Sequence, residues 1–128
     1  MMGREYIDLF CGNELAIQKK INLSIQLPND SSSLLPIHTD VWSGNSPFEL
    51  VLWIPLVSVK NTKSMFILSP NQNEFYFKNL KKFKTSEKIY LHAKRKLNWL
   101  NIEYGQGLIF SQNLLHGNVV NKEKTSRW

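Results

Sequence analysis

Short runs of strand-forming residues, each ended by turn formers, recur along the middle of this chain. Residues 21–27 read Ile-Asn-Leu-Ser-Ile-Gln-Leu, an alternation of apolar and polar side chains that is typical of a half-buried strand. Its polar positions, Asn22, Ser24 and Gln26, face either solvent or a polar cavity. Turn formers fill 28–33 and end the strand. Further short strands are predicted at 34–40, 64–68, 98–103 and 108–110.

The longest apolar run, residues 48–59, is rich in strand formers and predicts a central strand packed on both faces. Pro55 has no amide hydrogen, so this strand should bend or have an unpaired edge there. Helix is expected to be sparse, with a short helix at 13–20 and a capped helix that starts near Ser86. Short strands separated by turns favour a mainly β fold, an antiparallel sandwich or barrel with one or two short helices, in a single domain spanning 1–128.

The composition is that of an ordinary globular domain. Hydrophobic residues make up 42% and charged residues 20% of the 128 positions, so the chain can bury a core. No apolar run approaches the roughly 20 residues that span a bilayer, and residues 1–8 lack the features of a signal peptide. The single cysteine, Cys11, excludes an internal disulfide and is expected to be a small buried hydrophobe. A reducing, cytoplasmic location is therefore expected.

The net charge of +6 is concentrated in one stretch. Half of the sixteen basic residues lie between 78 and 96, and the rest of the chain is close to balanced. Such a stretch attracts nucleic acid or the phosphates of a nucleotide-linked substrate, or it is only the solvated face of a helix. It has no aromatic platform and no nucleic-acid motif, which favours the solvated face. Neither a nucleic acid nor a membrane is expected as a partner.

His38 and Asp40 lie two residues apart in the predicted strand 34–40, so alternation places both side chains on one face. In a barrel, His116 from a distant strand can reach the same point, because neighbouring strands are only about 4.8 Å apart. Two imidazoles and one carboxylate occupy one face of an octahedral Fe(II) and leave three positions open for chemistry. Each residue alone is more simply a surface or loop side chain, but the set of three, together with Arg127, predicts a metal site.

Four stretches of the chain resemble the Fe(II)- and 2-oxoglutarate-dependent oxygenases of the phytanoyl-CoA dioxygenase-like superfamily. They are residues 22–30, 38–49, 52–56 (Leu-Trp-Ile-Pro-Leu) and 116–118, followed by Arg127 eleven residues after His116. The resemblance runs from about residue 10 to the end, and it is closest to the oxygenases of sporadic bacterial carbohydrate-biosynthesis clusters. It implies a double-stranded β-helix, a jelly-roll or cupin-like barrel. The mouth of such a barrel would bind Fe(II) through His38, Asp40 and His116, with 2-oxoglutarate and O2 as cosubstrates.

The resemblance also implies cosubstrate contacts. Arg127 matches the arginine that grips the far carboxylate of 2-oxoglutarate, a role suited to a planar guanidinium that makes two parallel hydrogen bonds. Thr125 would share a strand face with Arg127 and add a hydroxyl. Asn118 stands where relatives often place a small polar contact, and Trp53 where they often have an aromatic residue near the pocket. Gln26 would face the pocket from the adjacent strand.

Asp40 also bears on the reaction, because related halogenases have a small residue at this position so that chloride can bind. A carboxylate favours hydroxylation or a related oxidation, with conversion of 2-oxoglutarate to succinate and CO2. The substrate implied is a small molecule, a carbohydrate or nucleotide-sugar intermediate. The lysine-rich stretch 78–96 would suit a phosphorylated one.

Family members are longer at both ends, so the chain is expected to be a fragment of one oxygenase domain, truncated at both termini. Two other classes of protein stay open. A metal-binding, cupin-like sugar isomerase or epimerase would need no 2-oxoglutarate and would leave Arg127 without a fixed role. A non-catalytic anion-binding module would use the lysine-rich stretch 78–96.

Overall fold

The computed structural model describes residues 4–12 and 14–128. Its helices are α1 (Arg4–Cys11), α2 (Pro70–Lys78), α3 (Leu80–Phe83) and α4 (Ser86–Ala93). Its strands are β1 (Leu50–Trp53), β2 (Phe66–Ile67), β3 (Asn98–Trp99), β4 (Leu108–Ser111) and β5 (His116–Gly117). Short 3₁₀ turns lie at Asp40–Ser43 and Asn61–Lys63. None of the helices in the described ranges is long and apolar enough to cross a membrane.

The strands form two small antiparallel sheets. β1 pairs with β4, and β3, β2 and β5 pair in that order. Single antiparallel bridges add to this pairing and join His38 to His116, Val59 to Ile102, and Gln26 to Arg127. The antiparallel pairing agrees with the sequence pattern, whereas the strands of the described ranges do not close into a barrel.

Helices α2, α3 and α4 supply one side of the core. α2 begins with a capping box in which Ser69 and Gln72 exchange hydrogen bonds, and Pro70 fills its first position. The Thr85 hydroxyl caps α4 by accepting from the amide of Lys88. The buried side chains of helices and strands meet in one cluster, formed by Ile37, Phe66, Leu68, Tyr76, Phe83, Ile89, Ala93 and Leu115. Each large apolar side chain in it contributes about 1.5–3 kcal/mol through burial.

Helix is more abundant than the sequence pattern predicts. Four α-helices are present in the described ranges instead of one or two. The helix predicted near Ser86 is confirmed as α4, but α2 was not predicted. The pair Ser69-Pro70 fits the end of a strand, and it fits the start of a helix equally well, because serine caps helices and proline suits their first position.

Three further expectations are wrong. The apolar run 48–59 is a strand only at Leu50–Trp53, where alternate side chains are exposed instead of packed on both faces. Its strand partner in the described ranges is β4, and the ladder stops just before Pro55. Cys11 is exposed at the end of α1 and not buried. Residues 14–20 form no helix, and Asn13 lies outside the described residues.

Residues 21–27 form a bridge only at Gln26, which pairs with Arg127. Their orientation is the reverse of an ordinary half-buried strand, because Gln26 is fully buried whereas Ile25 and Leu27 are exposed. Of the three polar positions, Gln26 therefore faces the interior, whereas Asn22 and Ser24 are exposed. This orientation places the side chain of Gln26 on the same inner side as Arg127.

Candidate metal centre and arginine cluster

Backbone pairing between residues 38 and 116 builds the candidate metal centre. The amide of His38 donates to the carbonyl of His116, and the amide of His116 donates to the carbonyl of His38, each at 2.9 Å. Directly opposed residues of an antiparallel pair project to the same face, and the two imidazole centroids lie 4.5 Å apart. Thr39 points the other way and is fully buried, and Asp40 returns to the face of His38.

The three side chains lie within reach of a single ion. One carboxylate oxygen of Asp40 is 3.5 Å from Nε2 of His38, and the other is 3.7 Å from Nε2 of His116. The three ligand atoms all lie within 4.8 Å of one another. Ligand atoms that each sit about 2.1 Å from a metal are separated by roughly 3 Å, so small side-chain rotations would close this set. The three residues singled out in the sequence are thus brought together in the structure.

Backbone carbonyls orient both imidazole rings. Nδ1 of His38 lies 2.6 Å from the carbonyl oxygen of Pro36, and Nδ1 of His116 lies 2.8 Å from that of Leu114. A carbonyl oxygen only accepts, so each Nδ1 carries a proton and donates it. In a neutral imidazole, this leaves the Nε2 lone pair free on the side that faces Asp40. Histidine ligands of metals are commonly fixed in this way, by a second hydrogen bond from the other ring nitrogen.

Burial keeps His116 in the form that binds a metal. Its side chain is 10% exposed, against 25% for both His38 and Asp40. This burial lowers the pKa of His116, and the hydrogen bond to Leu114 opposes the shift; His38 lowers the pKa and Asp40 raises it. The net shift favours neutral imidazole. The ring of Phe110 packs against it with centroids 5.1 Å apart. The centre is thus closed on the His116 side and open to solvent on the other.

A second polar cluster surrounds Arg127, which is only 4% exposed. Its guanidinium donates to the Ser64 carbonyl at 3.4 Å and to the Ser24 hydroxyl at 3.1 Å. The guanidinium carbon lies 6.0 Å from the centre of a Trp53 ring. Gln26 is its partner across the backbone and donates its side-chain amide to the carbonyl of Val119. We call Arg127, Gln26, Ser24, Ser64 and Trp53 the arginine cluster.

The arginine cluster is incomplete in hydrogen bonding. Nε of Arg127, the side-chain oxygen of Gln26 and the hydroxyl of Ser64 are buried without a partner. No carboxylate of the described ranges lies within ion-pairing distance of Arg127, and burial lowers the pKa of its guanidinium. A buried charge without a counter-charge is costly, and an unpaired buried donor adds to that cost. The cluster is therefore suited to receive an anion.

Asn118, which the resemblance placed near the cosubstrate, is buried, but its amide is already used. The oxygen accepts from the Leu35 amide at 2.7 Å, and the nitrogen donates to the Ser33 carbonyl at 3.3 Å. These two bonds fasten the segment that precedes His38 to the end of β5. The structure gives Asn118 a positioning role for this segment.

Thr125 is likewise not brought to the arginine cluster. Its side chain is exposed, and its hydroxyl accepts a hydrogen bond from Lys63 at 3.0 Å. Two residues that were not among the predicted site residues, Ser24 and Ser64, contact Arg127 instead. A signal for Ser24 was present, because it lies two residues before Gln26 and so shares its face. Ser64 offers a backbone carbonyl to Arg127, and residue type carries no signal for that.

An open cleft of about 280 Å³ is lined by Pro70, Asn73, Glu74, Phe77, Asn113 and Leu114, none of which is a residue of the metal centre. Leu114 is two residues before His116 and accepts its hydrogen bond. The ring of Trp42, two residues after Asp40, lies 6.2 Å from that of Phe77. The cleft is therefore connected to His116 through Leu114, and to the segment after Asp40 through the contact between Trp42 and Phe77.

The two clusters can do different chemistry. His38, Asp40 and His116 offer two neutral nitrogens and a carboxylate, which is a donor set for a cation. The arginine cluster offers two unpaired donors to an anion, Nε of Arg127 and the hydroxyl of Ser64. No family model, curated protein or solved structure matches this chain.

Proposed function

We propose that this chain is part of a non-haem Fe(II)/2-oxoglutarate-dependent oxygenase. The observation that carries the proposal is the convergence of His38, Asp40 and His116, whose ligand atoms lie within 4.8 Å of one another. Two imidazoles and one carboxylate fit Fe(II) and leave positions open for other ligands. When bound, iron supplies the dioxygen activation that couples conversion of 2-oxoglutarate to succinate and CO2 to oxidation of a substrate.

The arginine cluster supports the cosubstrate part of the proposal. 2-Oxoglutarate carries a carboxylate at each end, and the guanidinium of Arg127 can hold one of them by two charge-assisted hydrogen bonds. The carboxylate would supply the counter-charge that Arg127 lacks, and Ser24 would keep the guanidinium in place. The ring of Trp53 would shield this ion pair from water.

We also propose a double-stranded β-helix as the fold, as the resemblance implies. In that fold the inner faces of two antiparallel sheets enclose the site. Such an enclosure accounts for the burial of Gln26 and Arg127, which are polar and face inward. It also accounts for the pairing of His38 with His116 from opposite parts of the chain.

For the substrate we propose a carbohydrate or nucleotide-sugar intermediate, bound in the cleft that Leu114 connects to His116. The cleft is near the lower end of the volumes of small-molecule sites, which suits one sugar ring. Trp42 and Phe77 offer aromatic faces, and the carboxylate of Glu74 accepts hydrogen bonds from hydroxyl groups. Lys78, paired with Glu74, would contact a phosphate if the sugar carries one.

An anaerobic titration with Fe(II) and 2-oxoglutarate tests the proposal. Iron chelated by the keto acid should give a weak visible charge-transfer band that needs both components. Arg127→Met removes the guanidinium but keeps a similar volume, so it should retain Fe(II) binding and lower 2-oxoglutarate affinity about 100-fold, the loss of two charge-assisted hydrogen bonds.

Each outcome of this titration separates one class of protein from another. Fe(II) binding without a 2-oxoglutarate-dependent band would point to a metal-dependent isomerase or epimerase of the cupin kind. Absence of Fe(II) binding by the folded wild-type chain would refute the metal site itself. Equal 2-oxoglutarate affinity in wild type and Arg127→Met would remove Arg127 from the proposed contact.

A further inference from the structure

Three neighbouring segments expose apolar side chains on the side away from the arginine cluster. Gln26 and Arg127 are paired and both point inward. The Leu56 amide donates to the carbonyl of Trp128 at 2.9 Å, which puts residues 54–56 beside the same short strand. Side chains alternate along each segment, so the neighbours of the inward residues point outward. These outward residues, which we call the outer face, are Ile25, Leu27, Leu52, Ile54, Leu56 and Trp128.

The polarity of this small sheet is inverted. All six residues of the outer face are 38–54% exposed, whereas Gln26, Pro55 and Arg127 on the inner side are buried. A sheet with one face in water normally presents polar side chains there and apolar ones to the core. The polar inner face is explained by the arginine cluster. The apolar outer face has no such explanation within one copy of the described chain.

The extent of the outer face is that of an interface. Its six side chains expose roughly 600 Å² of apolar surface, at the upper end of single patches on soluble monomers. Leu23 and Leu50 lie on its rim and are also exposed, which brings the area close to the roughly 800 Å² that each partner buries in a stable complex. None of the six side chains of the outer face is charged.

Charge favours a second copy of the chain as the partner. With a net charge of +6, two copies repel each other through most of their surfaces, and this repulsion is weakest where charged groups are absent. The lysine-rich stretch 78–96 belongs to α2 to α4 and the turn after it, not to the outer face. An uncharged surface also meets itself without conflict, as a twofold interface requires.

We propose that the outer face is the interface of a homodimer, in which the outer faces of two copies pack on each other. Two sheets in this arrangement lie about 10 Å apart, with apolar side chains from both filling the layer between them. The dimer would place the two arginine clusters on opposite sides of this layer. This inference is independent of the proposed reaction.

The solution mass of the full chain tests the proposal. Light scattering after gel filtration, with reductant present because Cys11 is exposed, should give about twice the monomer mass of 14.9 kDa. Leu56→Lys and, on the neighbouring segment, Ile25→Lys should each raise the dimer dissociation constant by about 30-fold or more, because a charge is buried at the centre of the interface. Both residues are exposed in one copy, so far-UV circular dichroism should stay as in wild type.

Leu91→Lys is the matched control. Leu91 lies on α4 and is 52% exposed, against 54% for Leu56, so the two substitutions differ in place and not in burial. The control should remain dimeric. A monomeric wild type, a larger assembly, or a dimer that withstands both outer-face substitutions would overturn the proposal. So would a monomer that sediments with anionic vesicles, or a dimer that dissociates only on Leu9→Lys in α1.

Discussion

The metal centre and the arginine cluster are both polar, but they differ in how completely their polar atoms are hydrogen-bonded. In the metal centre, each Nδ1 is hydrogen-bonded to a backbone carbonyl, and the three ligand atoms face one another. In the arginine cluster, Nε of Arg127 and the Gln26 oxygen are buried without partners. The first is partly open to solvent at His38 and Asp40, whereas Arg127, Gln26 and Ser64 of the second are buried.

This difference indicates what each site costs the protein when its ligand is absent. Without an ion, the metal centre loses little, because water can reach His38 and Asp40. Without an anion, the arginine cluster keeps an unpaired charge in a low-dielectric site, which is costly. Substitutions should therefore separate ligand binding from stability: in the metal centre they should mainly affect binding, and in the arginine cluster they should affect both, with opposite signs.

The largest effect is expected for His116→Ala. It removes one of three ligands and the most buried one, so Fe(II) affinity should fall by more than the 10–100-fold that loss of an outer hydrogen-bond partner causes. Anaerobic titration with a competing chelator measures the change. His92→Ala is the control, since His92 lies on α4 outside the centre and its substitution should leave affinity unchanged. Equal losses in both variants would contradict the assignment.

Arg127→Met should have the next largest effect, and it should be stabilising. The substitution removes the desolvation cost of an unpaired charge, and the loss of its hydrogen bonds to Ser64 and Ser24 offsets part of this gain, so a net stabilisation of about 1 kcal/mol is expected. Urea unfolding of the metal-free protein measures this free energy. Succinate, a dicarboxylate, should stabilise the wild type and not the variant. A loss of stability in Arg127→Met would mean that Arg127 already has its counter-charge.

A smaller effect is expected from pH. Burial lowers the pKa of His116 in the folded, metal-free protein below its ordinary value of 6.5. Above pH 6.5 His116 is neutral in both the folded and the unfolded protein, and its contribution to stability is complete. As pH falls below 6.5 the unfolded chain binds a proton that the folded chain does not, so stability falls by up to about 1.4 kcal/mol per pH unit until the folded pKa is reached. Urea unfolding at several pH values measures this effect. The free energy of unfolding of His116→Gln should depend less on pH below 6.5 than that of the wild type.

The metal centre was the part most open to sequence prediction. His38 and Asp40 share a face because of a spacing of two, which depends only on local backbone geometry. Thr39 confirms this alternation, since it is fully buried on the opposite side. That His116 joins them depends on which strands pair, and local spacing does not determine that pairing.

Orientation was the part that the sequence could not give. Alternation in 21–27 predicts two faces but not which of them meets the interior, and Gln26 rather than Ile25 is buried. The prediction that Cys11 is buried was wrong for a related reason. No residue of α1 is buried, and no local sequence pattern shows whether a helix packs against the core. Tertiary contacts decide both cases.

Thr125→Ala should have the smallest effect, and it distinguishes a shared strand face from a real contact. Counting two residues back from Arg127 predicts a hydroxyl beside the guanidinium, but the structure gives that hydroxyl to Lys63 at the surface. The substitution should change the free energy of unfolding by less than about 0.5 kcal/mol, as for other exposed positions. It should leave the 2-oxoglutarate titration unchanged.

Ser24→Ala, which removes a hydroxyl that does contact Arg127, should weaken 2-oxoglutarate binding severalfold. The reverse order would restore Thr125 to the site and show that the end of the chain turns when the cosubstrate binds.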